Sequence, residues 1–276
     1  MLRLNYAQKL FAYLLLIIYA VIIIFPFFVM IIDSFKTMAD LYLRPFSLPI
    51  SWIYQNYITA WQTANIGTGY INSIIIASSS VLIVVILSSM LAYAISRFKF
   101  PFYRQLFIYS LLGLALPANL AVIPIYILMN KFHLINSLIG LIIIYSATGI
   151  SFSTFLFKNF IDAVPLEIEE SAKIDGASDL RIYGSIVLPL IRPAISVVAI
   201  VNFVGIWNDF FYPLIFINSQ SKFTITLSVL TMFQGEYTTS WSLLFAGLSL
   251  SIIPMIIIFV SFSKQFIAGI TQGAIK

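Results

Sequence analysis

Two groups of residues have the types and spacing to do chemistry. The first is a run of acids set among small side chains: Glu167, Glu169, Glu170, Ser171, Ala172, Asp175, Gly176 and Ala177. Small residues let another surface approach closely, and carboxylates give that surface something to pair with, so the chemistry on offer is docking of a soluble partner. A solvated helical hairpin with no partner fits the same composition equally well. The second group surrounds Asp209, the one acid inside a long apolar stretch, with Asn202, Trp207 and Asn208 beside it. A charge at membrane depth costs at least ~2.5–3.5 kcal/mol on insertion scales, so Asp209 must face water or a partner. Two roles stay open for it. It contacts solute hydroxyls along a pathway, or it caps a broken helix or bridges two subunits.

Other chemistries are absent from the 276 residues. There is no Cys, which removes disulfides, thiolate nucleophiles and Cys-ligated metals. No H-E-x-x-H, no paired acids and no Ser/His set occurs, so no catalytic constellation is present. The single His133 lies beside Lys131 in a short turn and reads as a surface residue. No G-x-x-x-x-G-K-[ST] loop occurs either, since Gly67-Thr68-Gly69 lacks the following Lys, and the chain is therefore not itself an ATPase. Glu236, Tyr237 and Trp241 could stack on a sugar ring, but aromatics at such positions more often anchor a span at the bilayer surface.

The elements that hold these residues are membrane helices. Hydrophobic residues make up 61% of the chain and charged residues only 9%, against about 25% charged in a soluble domain. A helix needs about 20 apolar residues to cross ~30 Å of hydrocarbon. Six stretches qualify, at about 10–32, 70–95, 105–129, 135–157, 193–217 and 238–263, the fifth interrupted only by Asp209. The first follows Arg3 and Lys9 like a signal peptide, yet it exceeds the apolar length of one and no small-residue cleavage site follows, so it is expected to be retained, with Pro26 as a kink. Residues 223–235 are apolar but too short to span, and read as an interfacial or re-entrant piece.

Lys and Arg set the orientation. One side holds Arg3, Lys9, Arg97, Lys99, Arg104, Lys158, Lys173, Arg181, Arg192, Lys264 and Lys276; the other holds Lys36, Arg44, Lys131 and Lys222, and eleven plus four accounts for all 15. Both termini, 1–9 and 265–276, are thereby expected in the cytoplasm. The net charge of +5 reflects this asymmetry; no basic stripe exists to bind nucleic acid. The outer loop 33–69 carries Pro45, Pro49, Trp52, Tyr54, Tyr57 and Trp61 and reads as a structured aromatic cap on the membrane surface.

The inner loop 158–192 concentrates charge, where about 4–6 residues would suffice as a connector. Its pattern predicts two short helices about a Gly hinge. Pro165 suits a first helical turn, the following glutamates favour the positive helix end, and Glu169 and Lys173 are spaced to pair at i,i+4. Asp175-Gly176 closes the first helix with a left-handed cap. A second helix, about 178–188, is expected to stop at Pro189.

From Pro165 to Asp179, followed by Leu188-Pro189 and Arg192-Pro193, the loop resembles the "EAA" loop of binding-protein-dependent ABC import permeases. Glu170, Ala172, Asp175, Gly176, Ala177, Leu188 and Pro189 match that pattern; Ser171 departs from it, standing where the family usually has Ala. Asn72-Ser73, Leu116-Pro117, Ile123-Pro124-Ile125-Tyr126, Trp207-Asn208-Asp209 and Pro213-Leu214 are similar to the G-type subunit of maltose-like systems, so the resemblance runs from the first span to the last.

The resemblance implies an all-α integral membrane fold of six transmembrane helices with a cytoplasmic helical coupling loop, the transmembrane domain (10–264) of an ABC type I importer. It implies a heterodimer with a second, F-type permease subunit, two copies of a cytoplasmic ATPase that carry the ATP and Mg, and an extracellular sugar-binding protein. It places ATPase docking on Glu169, Glu170, Ser171, Ala172, Asp175, Gly176 and Ala177, and leaves Asn202, Trp207, Asn208 and Asp209 as pathway candidates. No cofactor is expected in this chain. Glycerol-3-phosphate permeases share these motifs and remain an alternative, although a phosphate would call for intramembrane Lys or Arg. An ion-coupled carrier is the alternative from another class; it ordinarily needs several ionisable residues within spans, and Asp209 stands nearly alone.

Overall fold

A computed structural model describes residues 5–115, 118–232 and 240–274, with side chains described through 261 apart from that of 118. Arg3, Leu116-Pro117, Glu236, Tyr237 and Lys276, and the side chain of Lys264, lie outside the described residues. The described chain is helical and divides into two compact units, Met1–Gly67 with Ser228–Ile253 and Thr68–Leu227 with Pro254–Lys276.

The first unit opens with α1 (Tyr6–Asp33), which starts ahead of its apolar run because Asn5 and Gln8 form a capping box. The Asn5 side chain accepts from the Tyr6 N–H at 2.7 Å, and the Asn5 N–H donates to Gln8 at 2.9 Å. The helix runs on through Pro26. Two short helices follow, α2 (Met38–Leu43) and α3 (Gln55–Thr63). Phe35, ahead of α2, gathers Trp52, Tyr54 and Tyr57, with ring centroids 5.2, 5.4 and 4.9 Å away. The residue after Phe35 belongs to a buried ion pair: Lys36 Nζ lies 2.6 Å from Asp33 and also donates to the carbonyls of Arg44 and Pro45 at 2.8 and 3.0 Å.

The second unit holds α4 (Ile66–Arg97, from Thr68 on), α5 (Tyr103–Ala115), α6 (Val122–Lys131), α7 (Leu138–Asp162), α8 (Leu166–Ile174), α9 (Asp179–Leu190), α10 (Arg192–Asn208) and α11 (Phe211–Phe216). Residues of α4, α7, α9 and α10 make one apolar core, with Val84, Tyr93, Phe157, Ile161, Ile182, Val187 and Val198 buried in it. A helix α12 (Ile225–Thr231) and a long final helix α13 (Trp241–Ala274) each pass from one unit to the other in sequence.

Four described helices are long and apolar enough to cross a membrane: Tyr6–Asp33, Ile66–Arg97, Leu138–Asp162 and Trp241–Ser261. The other two expected spans are not single helices. Residues 105–129 divide into α5 and α6, of 13 and 10 residues. Residues 193–217 divide into α10, of 17 residues and about 25 Å, and α11 after a break at Asp209 and Phe210. Among the described residues two bent helix pairs, Tyr103–Ala115 with Asn119–Lys131 and α9 with α10 (76°), raise the number to six if each pair counts as one span.

The second break has a local cause. Asp209 is extended (φ −73°, ψ 131°), and its carboxylate accepts the N–H groups of Phe211 and Tyr212 at 3.0 and 3.3 Å, as a helix cap does. Pro213, four residues on, has no N–H to return to the Asp209 carbonyl. That carbonyl instead accepts the Thr226 hydroxyl at 2.7 Å.

Candidate functional site

The inner loop folds as α8, a turn and α9. Pro165 stands just ahead of the first helical residue as its cap. At the far end Gly176 has φ 81°; its N–H donates to the Lys173 carbonyl and the Ala177 N–H to the Ala172 carbonyl, both at 3.0 Å, the paired bonds of a Schellman cap. A Cβ on Gly176 would meet nothing within 4 Å, so glycine is required here by torsion and not by space. Ser178 caps α9, accepting from Arg181 N–H at 3.4 Å. The second helix does not stop at Pro189 as the sequence suggests. It reaches Leu190, because a π turn over Tyr183–Val187 widens the ladder just before the proline.

Within α8 the expected Glu169–Lys173 pair does not form. Lys173 instead pairs with Asp179 of α9 at 2.9 Å, a contact that raises the Lys173 pKa. Glu169 turns inward and is buried, where its carboxylate accepts from Arg97 Nε at 2.7 Å and from the Tyr93 hydroxyl at 3.2 Å. The same guanidinium donates to the carbonyls of Ile161 and Val164 at 2.8 and 2.9 Å, at and just past the end of α7. Four residues before Tyr93, the Ser89 hydroxyl bonds the Tyr183 hydroxyl of α9 at 2.8 Å.

The seven docking candidates therefore divide. Glu169, Ala172 and Ala177 face the chain's own body, the two alanines half-buried against the apolar core. Glu170, Ser171, Asp175 and Gly176 are exposed. They share the turn with two uncovered apolar side chains, Ile174 at 88% exposure and Leu180 at 70%.

The Asp209 region forms a cleft of ≈ 480 Å³ between α7 and the α10–α11 break. Tyr145, Thr148, Phe152, Asn202, Asn208 and Asp209 line it. The Tyr145 hydroxyl donates to Asp209 at 2.7 Å, and Asn202 donates to Ser153 at 3.1 Å. The helices come close here because residue 149 is Gly: a Cβ would lie 2.5 Å from the Asn202 side chain. No lysine or arginine is among the described residues lining the cleft. Such a surface offers hydroxyl, amide, ring and carboxylate contacts, which suit a neutral polyol better than an anion. Trp207 does not line it; it is buried, stacked against Tyr70 and Phe203 at 6.1 and 5.7 Å.

Sequence reasoning missed Tyr145, Tyr93, Arg97 and Tyr183. It missed Ser89 as well, which bonds across to α9. A usable signal existed for three of these five: Ser89, Tyr93 and Arg97 recur at i, i+4, i+8, a polar stripe at the loop end of α4. Asn72-Ser73 likewise have partners. Asn72 donates to the carbonyls of Ser221 and Phe223, and Ser73 accepts the Ile225 N–H, which fixes the start of α12.

Among the described residues, helices long enough to cross a bilayer, two broken ones and an acid-rich helical connector make this a multi-span membrane protein. A solved chain of a bacterial ABC transporter that imports the acidic polysaccharide alginate shares the fold, with a TM-score of 0.83 at 21% identity over 96% of this chain and 100% of that one. The pattern of the family described as binding-protein-dependent transport system inner membrane component matches residues 84–272. The chain belongs to this family. Relatives include the diacetylchitobiose uptake system permease protein of Streptomyces coelicolor, 34% identical over 95% of this chain and 87% of that protein. The probable starch degradation products transport system permease protein of Thermoanaerobacterium thermosulfurigenes is 33% identical over 98% of each. The multiple sugar-binding transport system permease protein of Streptococcus mutans is 32% identical over 99% and 98%.

Proposed function

We propose that this chain is one of two permease subunits of an ATP-driven importer for a neutral sugar or oligosaccharide. A second, F-type permease completes the path, two ATPase copies holding ATP and Mg bind the inner loop, and an extracellular binding protein delivers the solute. Both termini face the cytoplasm, in keeping with eleven cationic residues on the loop side against four opposite. The observation that carries the reading is the turn between α8 and α9. It leaves Ile174 and Leu180 uncovered beside exposed Glu170 and Asp175. Apolar side chains ringed by acids on a short, well-capped turn are the form of a protein contact.

The relatives' names point to saccharides, and the uncharged-to-acidic lining of the Asp209 cleft supports a neutral ligand over a phosphate ester. ATP-driven closure of the ATPase dimer would shift the population of inward- and outward-facing states through the docked turn.

Purification from the native membrane in mild detergent tests the assembly. A second permease of similar size and an ATPase with a phosphate loop are expected to accompany the chain. A homo-oligomer that transports without an ATPase would overturn the reading. Glu170→Lys combined with Gly176→Pro should abolish both ATPase co-purification and uptake, and Ser178→Cys should label only from the inner face.

A further inference from the structure

We propose that Ser89, Tyr93 and Arg97 are positioning residues, a polar stripe by which α4 grips the coupling loop so that movement of the docked turn becomes movement of a membrane helix. The proposal rests on the importer reading above and names the part that transmits the motion.

The three residues lie at i, i+4, i+8 on one face at the loop end of α4, and each is committed to the loop. Ser89 holds Tyr183 of α9 at 2.8 Å, and Tyr93 holds Glu169 of α8 at 3.2 Å. Arg97 holds Glu169 at 2.7 Å together with the carbonyls of Ile161, in the last turn of α7, and Val164, just past it. One guanidinium therefore joins α4, α7 and α8. The Tyr93 ring also packs on the Tyr183 ring at 5.2 Å, closing the network between α8 and α9. Ser89, Tyr93, Glu169 and Tyr183 are buried, and the Arg97 and Glu169 side chains are 8% and 5% exposed.

Stability alone does not call for this arrangement. A buried ion pair contributes little net stability relative to apolar side chains of the same volume, because desolvation offsets the attraction; what it fixes is geometry. Successive residues of a helix diverge by about 100°, so Glu169 and Glu170 serve different faces of α8. Glu170 is exposed on the docking side, and Glu169 is bound to α4. A push on the outward face must then carry α4 with it, unless a buried carboxylate is stripped of both its donors.

The test uses the whole transporter, both permeases, the ATPase and the binding protein, in liposomes. Three quantities are measured: ATPase retained on purification, ATP turnover stimulated by the loaded binding protein, and solute taken up per ATP. Glu169→Gln should keep the ATPase bound and hydrolysing while uptake per ATP falls about tenfold, within the usual range of coupling between sites. Tyr93→Phe removes one hydroxyl and no packing, and should fall in the same direction by less. Arg97→Lys, which keeps the charge but cannot reach Glu169 and two carbonyls together, should restore only part of the ratio lost in Arg97→Gln. An unchanged ratio in both Glu169→Gln and Tyr93→Phe overturns the grip. So does loss of the ATPase from Glu169→Gln alone, which would place Glu169 on the docking surface. Absence of the ATPase from the wild-type preparation would instead overturn the importer reading, and the grip with it.

Discussion

The Tyr145 hydroxyl donates to Asp209 Oδ2 at 2.7 Å across 64 residues of sequence, and the same carboxylate caps the N–H groups of Phe211 and Tyr212. Asp209 is thus the joint at which a span is broken and the wall of a cleft at once. Its backbone carbonyl, freed by Pro213, is taken by Thr226. A role as a cap and a role as a solute contact are compatible, because a carboxylate can accept more than the three bonds found here.

Replacing Asp209 separates the two roles. Asp209→Ala leaves two N–H groups and a buried phenol without an acceptor and should cost about 2 kcal/mol, read as a lower thermal midpoint in detergent. Asp209→Asn keeps one oxygen acceptor and should lose less stability. If Asp209→Asn then transports at the wild-type rate, the charge is not used along the path; a fall in uptake at unchanged stability assigns the carboxylate to the solute.

The Asp33–Lys36 pair predicts an asymmetric outcome. Lys36 is fully buried and also satisfies the Arg44 and Pro45 carbonyls. Lys36→Met strands a buried carboxylate and should destabilise the protein by about 3–5 kcal/mol. Adding Asp33→Asn should recover part of that loss, measured by thermal unfolding of the single and double variants. Equal stability of the single variant and the wild type would mean that the pair is solvated.

Lys173 and Asp179 provide the contrast. Their side chains are 53% and 48% exposed, and Lys173→Ala should leave the thermal midpoint unchanged at neutral pH. The sign of any residual effect is fixed by the raised Lys173 pKa. The contribution is present below the ordinary lysine value and fades as pH rises through the raised one. A midpoint that improves with alkaline pH in the wild type alone would contradict this.

What could be read from sequence was local. Pro165, Gly176 and Ser178 act on backbone groups within a few residues, so the ends of α8 and the start of α9 follow from capping chemistry alone. The break at Asp209 is half legible: a cap on a broken helix is one of the two roles the sequence leaves open for this acid, and the structure shows that cap, while the apolar run that continues past it hides the division of the span. Glu169 illustrates the limit. Its nearest cation in sequence is Lys173 on the same helix face, yet it binds Arg97, 72 residues away, since burial makes a committed donor worth more than an exposed i,i+4 contact. No local spacing encodes that choice.

Gly176 gives the last prediction. Its φ of 81° lies where an L side chain strains against its own backbone, and the open space around it means that strain is the whole effect. Gly176→Ala should therefore cost about 1 kcal/mol, and Gly176→Asn, a residue that tolerates this region better, should cost less. Any larger polar substituent that keeps the torsion has room to fit, so size should not order the series. The turn lies between the Ala172 and Ala177 anchors, and a flattened turn would also displace Ile174 and Leu180 from the proposed docking surface. Ranking Gly, Asn, Ala and Val by thermal midpoint and by ATPase co-purification checks both points. Stability and co-purification should fall together in the order Gly, Asn, Ala, Val, and a series ordered by side-chain volume instead would show that the site is limited by space and not by torsion.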